Sequence, residues 1–151
     1  MSETPFTETE DNTFIVPVPV WIDAAVGCWT DRLGVGEYAV RMHMSAGLED
    51  SDDMRVLGSA IVQARYLRAA VTFSTRLEDN AEGQHVVAHE VGHILLGEID
   101  AIAQHLIDQL PARAQGLAFE MWDDVSERTI ERLTRALGRS HRRDTPDPSA
   151  A

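Results

Sequence analysis

The stretch VVAHEVGHILLG, residues 86–97, carries two histidines and a glutamate among residues that are otherwise apolar or glycine. Residues four positions apart are neighbours only on a helix, so His89 and His93 share a face if this stretch is helical. Burying imidazole and carboxylate groups without partners costs free energy, and the apolar residues of the stretch gather on the other side of the helix. The pattern therefore indicates an amphipathic helix whose polar stripe forms a binding site.

The HEVGH motif has the spacing of a zinc site built on one helix. Zinc accepts neutral imidazole nitrogens and prefers four ligands in tetrahedral geometry, which leaves room for a third side chain and a water molecule. Glu90 is one residue round the helix from His89, so its carboxylate can reach a metal-bound water rather than the ion and act as a general base. We therefore expect His89 and His93 as metal ligands, Glu90 as the catalytic residue and Zn²⁺ as the cofactor.

The segment 69–97 resembles the zincin metallopeptidases, with an extended AAVTFST, a loop and then VVAHEVGHILLG. It is similar to the edge strand, loop and active-site helix of the minimal gluzincin-like proteins of bacteria, phages and mobile elements, and the resemblance extends over residues 35–137. It implies that His89 and His93 are zinc ligands and that Glu90 is the general base. It also implies that strand 69–75 lies at the sheet edge and binds an extended peptide substrate.

The third zinc ligand is not fixed by the motif. In metzincins a glycine and a further ligand follow three and six residues after the second histidine, but Leu96 and Ile99 occupy those positions here. Gluzincins take a glutamate from a later helix, and the resemblance implies Glu127, in SERTIERLTRAL, for that role. Asp100 and Glu120 remain alternatives.

Three further polar residues near the motif have possible roles. Asp100 could accept the second N–H of a ligating histidine instead of binding zinc. His85 is expected outside the ligand set, either supporting it or exposed. His105 could donate a hydrogen bond to a transition-state oxyanion, although an ordinary surface or core histidine is the favoured interpretation.

Hydrophobic periodicity predicts an α+β fold with an N-terminal helix, about three strands, the motif helix and a long C-terminal helix. The predicted elements are a helix from Trp21 to Leu33, strands over 38–44, within 54–63 and over 69–75, a helix over 83–96 capped by Gly97, a short helix over 100–110 and a last helix over 113–137 ended by Gly138. A single domain is expected over 17–138, between disordered tails at 1–16, which is acidic, and at 139–151.

Composition excludes several classes of protein. A formal net charge of -12 disfavours a nucleic-acid partner, which requires a basic surface. The sequence has one cysteine, Cys28, which is expected to be buried and cannot form an internal disulfide, so a reducing compartment is indicated. The acidic start is unlike a secretory signal, and no apolar run is long enough for a membrane span. We expect a cytoplasmic protein that binds no membrane; its oligomeric state is unknown.

The function that these features predict is a zinc metallopeptidase that hydrolyses peptide bonds. Its small size favours a narrow peptide or protein substrate, because a lone domain has no second lobe to form a deep cleft. The alternative is a non-catalytic, zinc-stabilised regulatory or interaction protein, in which the metal only ties two helices together. A metal-free domain is a third possibility.

Overall fold

The computed structural model describes residues 16–48 and 57–144, which form three α-helices and a three-stranded mixed sheet. The elements in chain order are α1 (Val20–Leu33), β1 (Ala39–Ser45), β2 (Gly58–Gln63), a short 3₁₀ turn (Ala64–Tyr66), β3 (Arg68–Ser74), α2 (Ala81–Asp108) and α3 (Ala112–Asp144). The predicted α+β class is confirmed. The predicted tails fall largely on 1–15 and 145–151, outside the described residues. No described helix has the length and apolarity needed to cross a bilayer.

The sheet has the strand order β1-β3-β2, with β1 parallel and β2 antiparallel to β3. Val71 and Phe73 of β3 are fully buried, as expected for a strand that is paired on both sides. The prediction that strand 69–75 forms the sheet edge is therefore wrong, since that segment coincides with the central strand. The edges are β1 and β2, and it is β2 that packs beside the HEVGH helix.

Helix α1 ends where the sequence predicts, because Gly34 adopts a left-handed conformation with φ of 68° and caps the helix. Its buried face differs from the predicted one. Ile22, Val26 and Trp29 point into the core, whereas Cys28 is exposed. The prediction of a buried Cys28 is wrong because the packing of α1 against α2 selects a neighbouring stripe of the helix.

Helix α2 runs without a break from Ala81 to Asp108 and passes through Gly97, so the predicted cap at Gly97 and the separate short helix after it are wrong. Gly97 is buried, and a β-carbon built on it would lie 2.4 Å from Cγ1 of Val62 in β2. The glycine therefore serves close contact between helix and strand rather than helix termination. Helix α3 likewise continues past Gly138, which has no positive φ, to Asp144.

We predict that Gly97→Ala destabilises the fold by about 1–3 kcal/mol, because the added methyl overlaps Val62. Gly116→Ala is the matched control: Gly116 lies in α3, and a methyl added there would meet no atom within 4 Å. Alanine at this control position should stabilise the helix by up to about 1 kcal/mol. Urea unfolding measures both changes. Val62→Ala should reduce the cost of Gly97→Ala, and equal costs in the two backgrounds would contradict the proposed contact.

Candidate metal centre

Two turns of α2 present the imidazoles of His89 and His93 side by side. Their ring centroids are 5.1 Å apart and the planes meet at 75°. Both side chains are about one-fifth exposed, so they are accessible from solvent while most of each ring is packed. The predicted helical spacing of the motif is confirmed, and the two rings point toward a common region.

Glu127 of α3 meets both histidines. Nε2 of His89 donates to Oε2 of Glu127 at 2.9 Å, and Nε2 of His93 lies 3.3 Å from Oε1 of the same carboxylate. One ligand atom from each of the three side chains lies within 4.8 Å of the others. The structure thus brings together the set that the sequence predicts, His89, His93 and Glu127; zinc binding by this set stays a prediction.

A second glycine explains how α3 comes close enough for this contact. Gly92 lies within the HEVGH motif, and a β-carbon on it would be 2.7 Å from Cγ2 of Ile130 in α3. Ile130 is fully buried, and Glu127 lies about one turn before it on the same helix. Gly92 therefore sets the separation of the two helices at the level of the site.

The alternative third ligands lie elsewhere. Asp100 accepts a hydrogen bond from Trp122 Nε1 at 3.1 Å and another from Ser126 Oγ at 3.5 Å, so it ties α2 to α3 beyond the site. Glu120 is exposed on α3. Among the described residues, His89, His93 and Glu127 form the one group of this kind.

A second carboxylate stands behind the cluster. Oε2 of Glu131 is 2.8 Å from Nε2 of His85 and 3.6 Å from Nδ1 of His89. The 3.6 Å separation is an ion-pair contact rather than a hydrogen bond, and it makes Glu131 the carboxylate beside His89, the position that the sequence suggests for Asp100. Sequence reasoning misses this role of Glu131, although a signal is present: His85 and Glu131 each lie one helical turn from a predicted ligand.

Glu90, the predicted general base, is 6% exposed and lies beneath strand β2. A β-carbon on Gly58 would be 2.7 Å from Cγ and 2.8 Å from Oε1 of Glu90, so the glycine makes room for the carboxylate. Burial raises the pKa of Glu90, while the neighbouring His93 and His89 act in the opposite direction. Glu90 is therefore held close to the histidines without joining the three-residue cluster.

A cavity of about 570 Å³ opens above these side chains. Residues 57–60, at the start of β2, line one wall, and the motif side chains with Glu127 and Glu131 line the other. In the described part of the chain β2 pairs only with β3, so its other edge carries unpaired backbone groups. The cavity thus joins an open strand edge to the polar cluster.

The charges within the cluster are strongly coupled. Hydrogen bonds from His89 and His93 hold the pKa of Glu127 far below its usual value. The same hydrogen bond between His89 and Glu127 raises the pKa of His89. The two imidazoles stabilise the ionised carboxylate of Glu127 through hydrogen bonds, and a bound divalent cation would take over this role. Two nitrogens and one oxygen form a donor set suited to zinc. The residues present therefore fit a zinc ion with one coordination position left for a water or substrate.

His105 does not belong to the site. It is exposed near the end of α2, twelve residues after His93, which corresponds to about 18 Å along the helix. This position agrees with the interpretation of His105 as an ordinary surface histidine.

Comparisons with protein-family models, with curated proteins and with solved structures found no match. The geometry of the side chains is accordingly the guide to function.

We predict that the purified chain binds one zinc ion and that Glu127→Gln lowers the affinity more than a hundredfold. Glu131→Gln should cost about 10–100-fold, the usual effect of losing a carboxylate behind a ligand. Glu120→Gln, an exposed acid on the same helix, should change nothing. Competition with a chelator of known affinity measures all three. Equal losses for Glu120→Gln and Glu127→Gln would contradict the ligand assignment.

In the metal-free protein we predict that the His89–Glu127 pair stabilises the fold only within a limited pH range. The stabilisation that Glu127 contributes, because its pKa is lowered in the folded protein, is present at pH values above its unfolded pKa of 4.5 and is lost as the pH falls. The stabilisation that His89 contributes, because its pKa is raised in the folded protein, is present at pH values below its unfolded pKa of 6.5. It is lost as the pH rises through the higher pKa of the folded state.

The difference in unfolding free energy between the parent chain and Glu127→Gln should therefore be largest at about pH 5–6.5 and shrink on both sides. Urea unfolding in the presence of a chelator measures it at each pH. A difference that stays constant from about pH 4 to pH 9 would show that the pair is not ionised as described.

Proposed function

We propose that this chain is a zinc-dependent peptidase in which His89, His93 and Glu127 hold the metal and Glu90 is the general base. The observation that carries the proposal is the coincidence of three donor side chains with a buried fourth acid on the floor of one cavity. Catalytic zinc sites commonly have three protein ligands and an open position, whereas structural sites use four. The three-donor cluster therefore favours a catalytic zinc site over a structural one.

The division of labour among the side chains follows from their placement. Bound zinc would supply a Lewis acid that polarises the scissile carbonyl and lowers the pKa of a coordinated water toward about 7. Glu90 accepts the proton of the attacking water on a carboxylate oxygen and returns it to the leaving amine. Glu131 orients the ring of His89 through its Nδ1 side, and His85 holds Glu131 in place.

The open edge of β2 is the proposed binding site for the substrate. A peptide in extended conformation can add to this edge through backbone hydrogen bonds, and residues 57–60 would guide it across the cavity that contains Glu90. Strand β2 thus takes the role that the resemblance implied for the segment 69–75. We also propose the cytoplasm as the location, since the only cysteine of the sequence, Cys28, has no partner for a disulfide.

We predict that Glu90→Gln abolishes peptide hydrolysis while zinc stays bound. Removing a general base costs about 10²–10⁴-fold in rate, whereas the three ligands are unchanged. Glu98→Gln is the matched control, because Glu98 is an exposed acid on the same helix. Zinc content is measured by elemental analysis, and cleavage by mass spectrometry of a peptide library incubated with each protein.

The same experiment separates the two classes of function. Cleavage by the parent chain and by Glu98→Gln, but not by Glu90→Gln, supports the peptidase. Full activity in Glu90→Gln would remove Glu90 from the mechanism. A zinc-loaded parent chain that cleaves no library member, and that unfolds when the metal is chelated, would favour the non-catalytic regulatory protein instead.

A further inference from the structure

Helices α2 and α3 continue beyond the metal centre as a hairpin that leaves large apolar side chains uncovered. Six of these form what we call the hairpin patch, and each is between 50% and 64% exposed: Ile99, Ile102, Leu106, Leu117, Met121 and Val125. A contiguous group of exposed large apolar side chains of this kind is often a binding site. The patch is remote from the cavity above Glu90.

Helical geometry places these six side chains on one side of the hairpin. Ile99, Ile102 and Leu106 follow one another at spacings of three and four, and Leu117, Met121 and Val125 at spacings of four. Ile99, Met121 and Val125 directly precede Asp100, Trp122 and Ser126, the residues that bond across the seam, so each lies about 100° round its helix from a seam residue. The helices run antiparallel, because His85 meets Glu131 whereas Asp100, later in α2, meets Trp122, earlier in α3, so the two rows flank the same side of the seam.

The hairpin patch continues a surface that already binds a helix. Helix α1 packs against the first half of α2, where Ala88 is buried and lines a groove together with Ala25 and Trp29 of α1. Steps of seven residues, which keep to one side of a helix, lead from Ala88 to Leu95 and Ile102. From Ile99 onward this side of α2 is exposed. The continuity favours a helical occupant.

The rest of this sequence offers no suitable occupant. The segment 1–15 contains four acidic residues and no arginine or lysine, and 49–56 contains four acidic residues and one arginine. The segment 145–151 has no large apolar side chain. The hairpin itself, residues 98–127, has seven acidic residues and one arginine, so the two acidic segments would meet like charge.

A second copy of the chain is also disfavoured. Two hairpins placed face to face would bring their acidic residues together. A partner with basic residues flanking an apolar stripe would complement both the surface and its charge.

We infer that the hairpin patch binds a cationic amphipathic helix of another protein. Its apolar stripe packs along the seam between α2 and α3, and its arginines or lysines approach Glu98 and Asp124, the exposed acids that directly precede Ile99 and Val125. The interaction requires neither zinc nor Glu90, since the patch lies on the other side of the helix pair. It therefore stands independently of the proposed hydrolysis.

The test uses the full chain and a fluorescent synthetic 18-residue helix made of leucine and lysine at helical spacing, followed by fluorescence anisotropy at low and moderate salt. A second peptide carries glutamate in place of lysine. The patch variant is Ile102→Gln with Met121→Gln, and the control is Phe119→Gln. Phe119 is 49% exposed on the opposite side of α3, so it matches the patch in burial but not in position.

We expect the lysine peptide to bind the parent chain and Phe119→Gln within twofold of each other, and to bind the patch variant at least tenfold more weakly. The glutamate peptide should bind at least tenfold more weakly than the lysine peptide. Circular dichroism should be unchanged in both variants, because all three side chains are exposed. Salt should weaken the binding of the lysine peptide.

Four outcomes would overturn the inference. They are absence of binding, equal loss in Phe119→Gln and the patch variant, binding that the patch variant retains in full, and equal binding of the two peptides. A fifth is a dimer of the parent chain in sedimentation that the patch variant abolishes, which would make a second copy the occupant.

Discussion

The close approach of α2 and α3 at Gly92 is the contact on which the site depends. A side chain at this position would collide with Ile130 and separate the helices, and Glu127, one turn away on α3, would then lose its contact with the histidines. Gly97 plays the same part toward β2, where Val62 fills the space of a missing methyl. The two glycines of α2 thus allow close packing of β2 on one side and of α3 on the other.

The HEVGH stripe, the end of α1 and the overall α+β class follow from local patterns, and these are predictable from the sequence. Periodicity cannot distinguish a glycine that ends a helix from one that permits close packing, so the predicted helix ends at Gly97 and Gly138 are wrong. Strand order depends on pairing between distant segments, which no local pattern records. The central position of β3 therefore cannot be read from its own residues.

The site is partly predictable for a related reason. A metal cluster needs donors whose spacing on a helix is fixed, and Glu127 is favoured because it borders the apolar stripe of the last helix. The contact of Glu131 with His89 could not be predicted, because a single acidic residue on a helix looks like an ordinary solvent-exposed residue until its partner is known. The pairing of Glu131 with His85 depends on the antiparallel packing of α2 and α3, which brings together residues 46 positions apart.

The unbroken course of α2 joins two regions that a loop would have kept separate. A single rod of 28 residues, about 40 Å long, carries the imidazoles near its middle and the exposed apolar row at its far end. A continuous helix keeps its two ends in a fixed relative orientation, whereas a loop would let them move separately. The direction of the hairpin and the positions of His89 and His93 are therefore set by one continuous backbone.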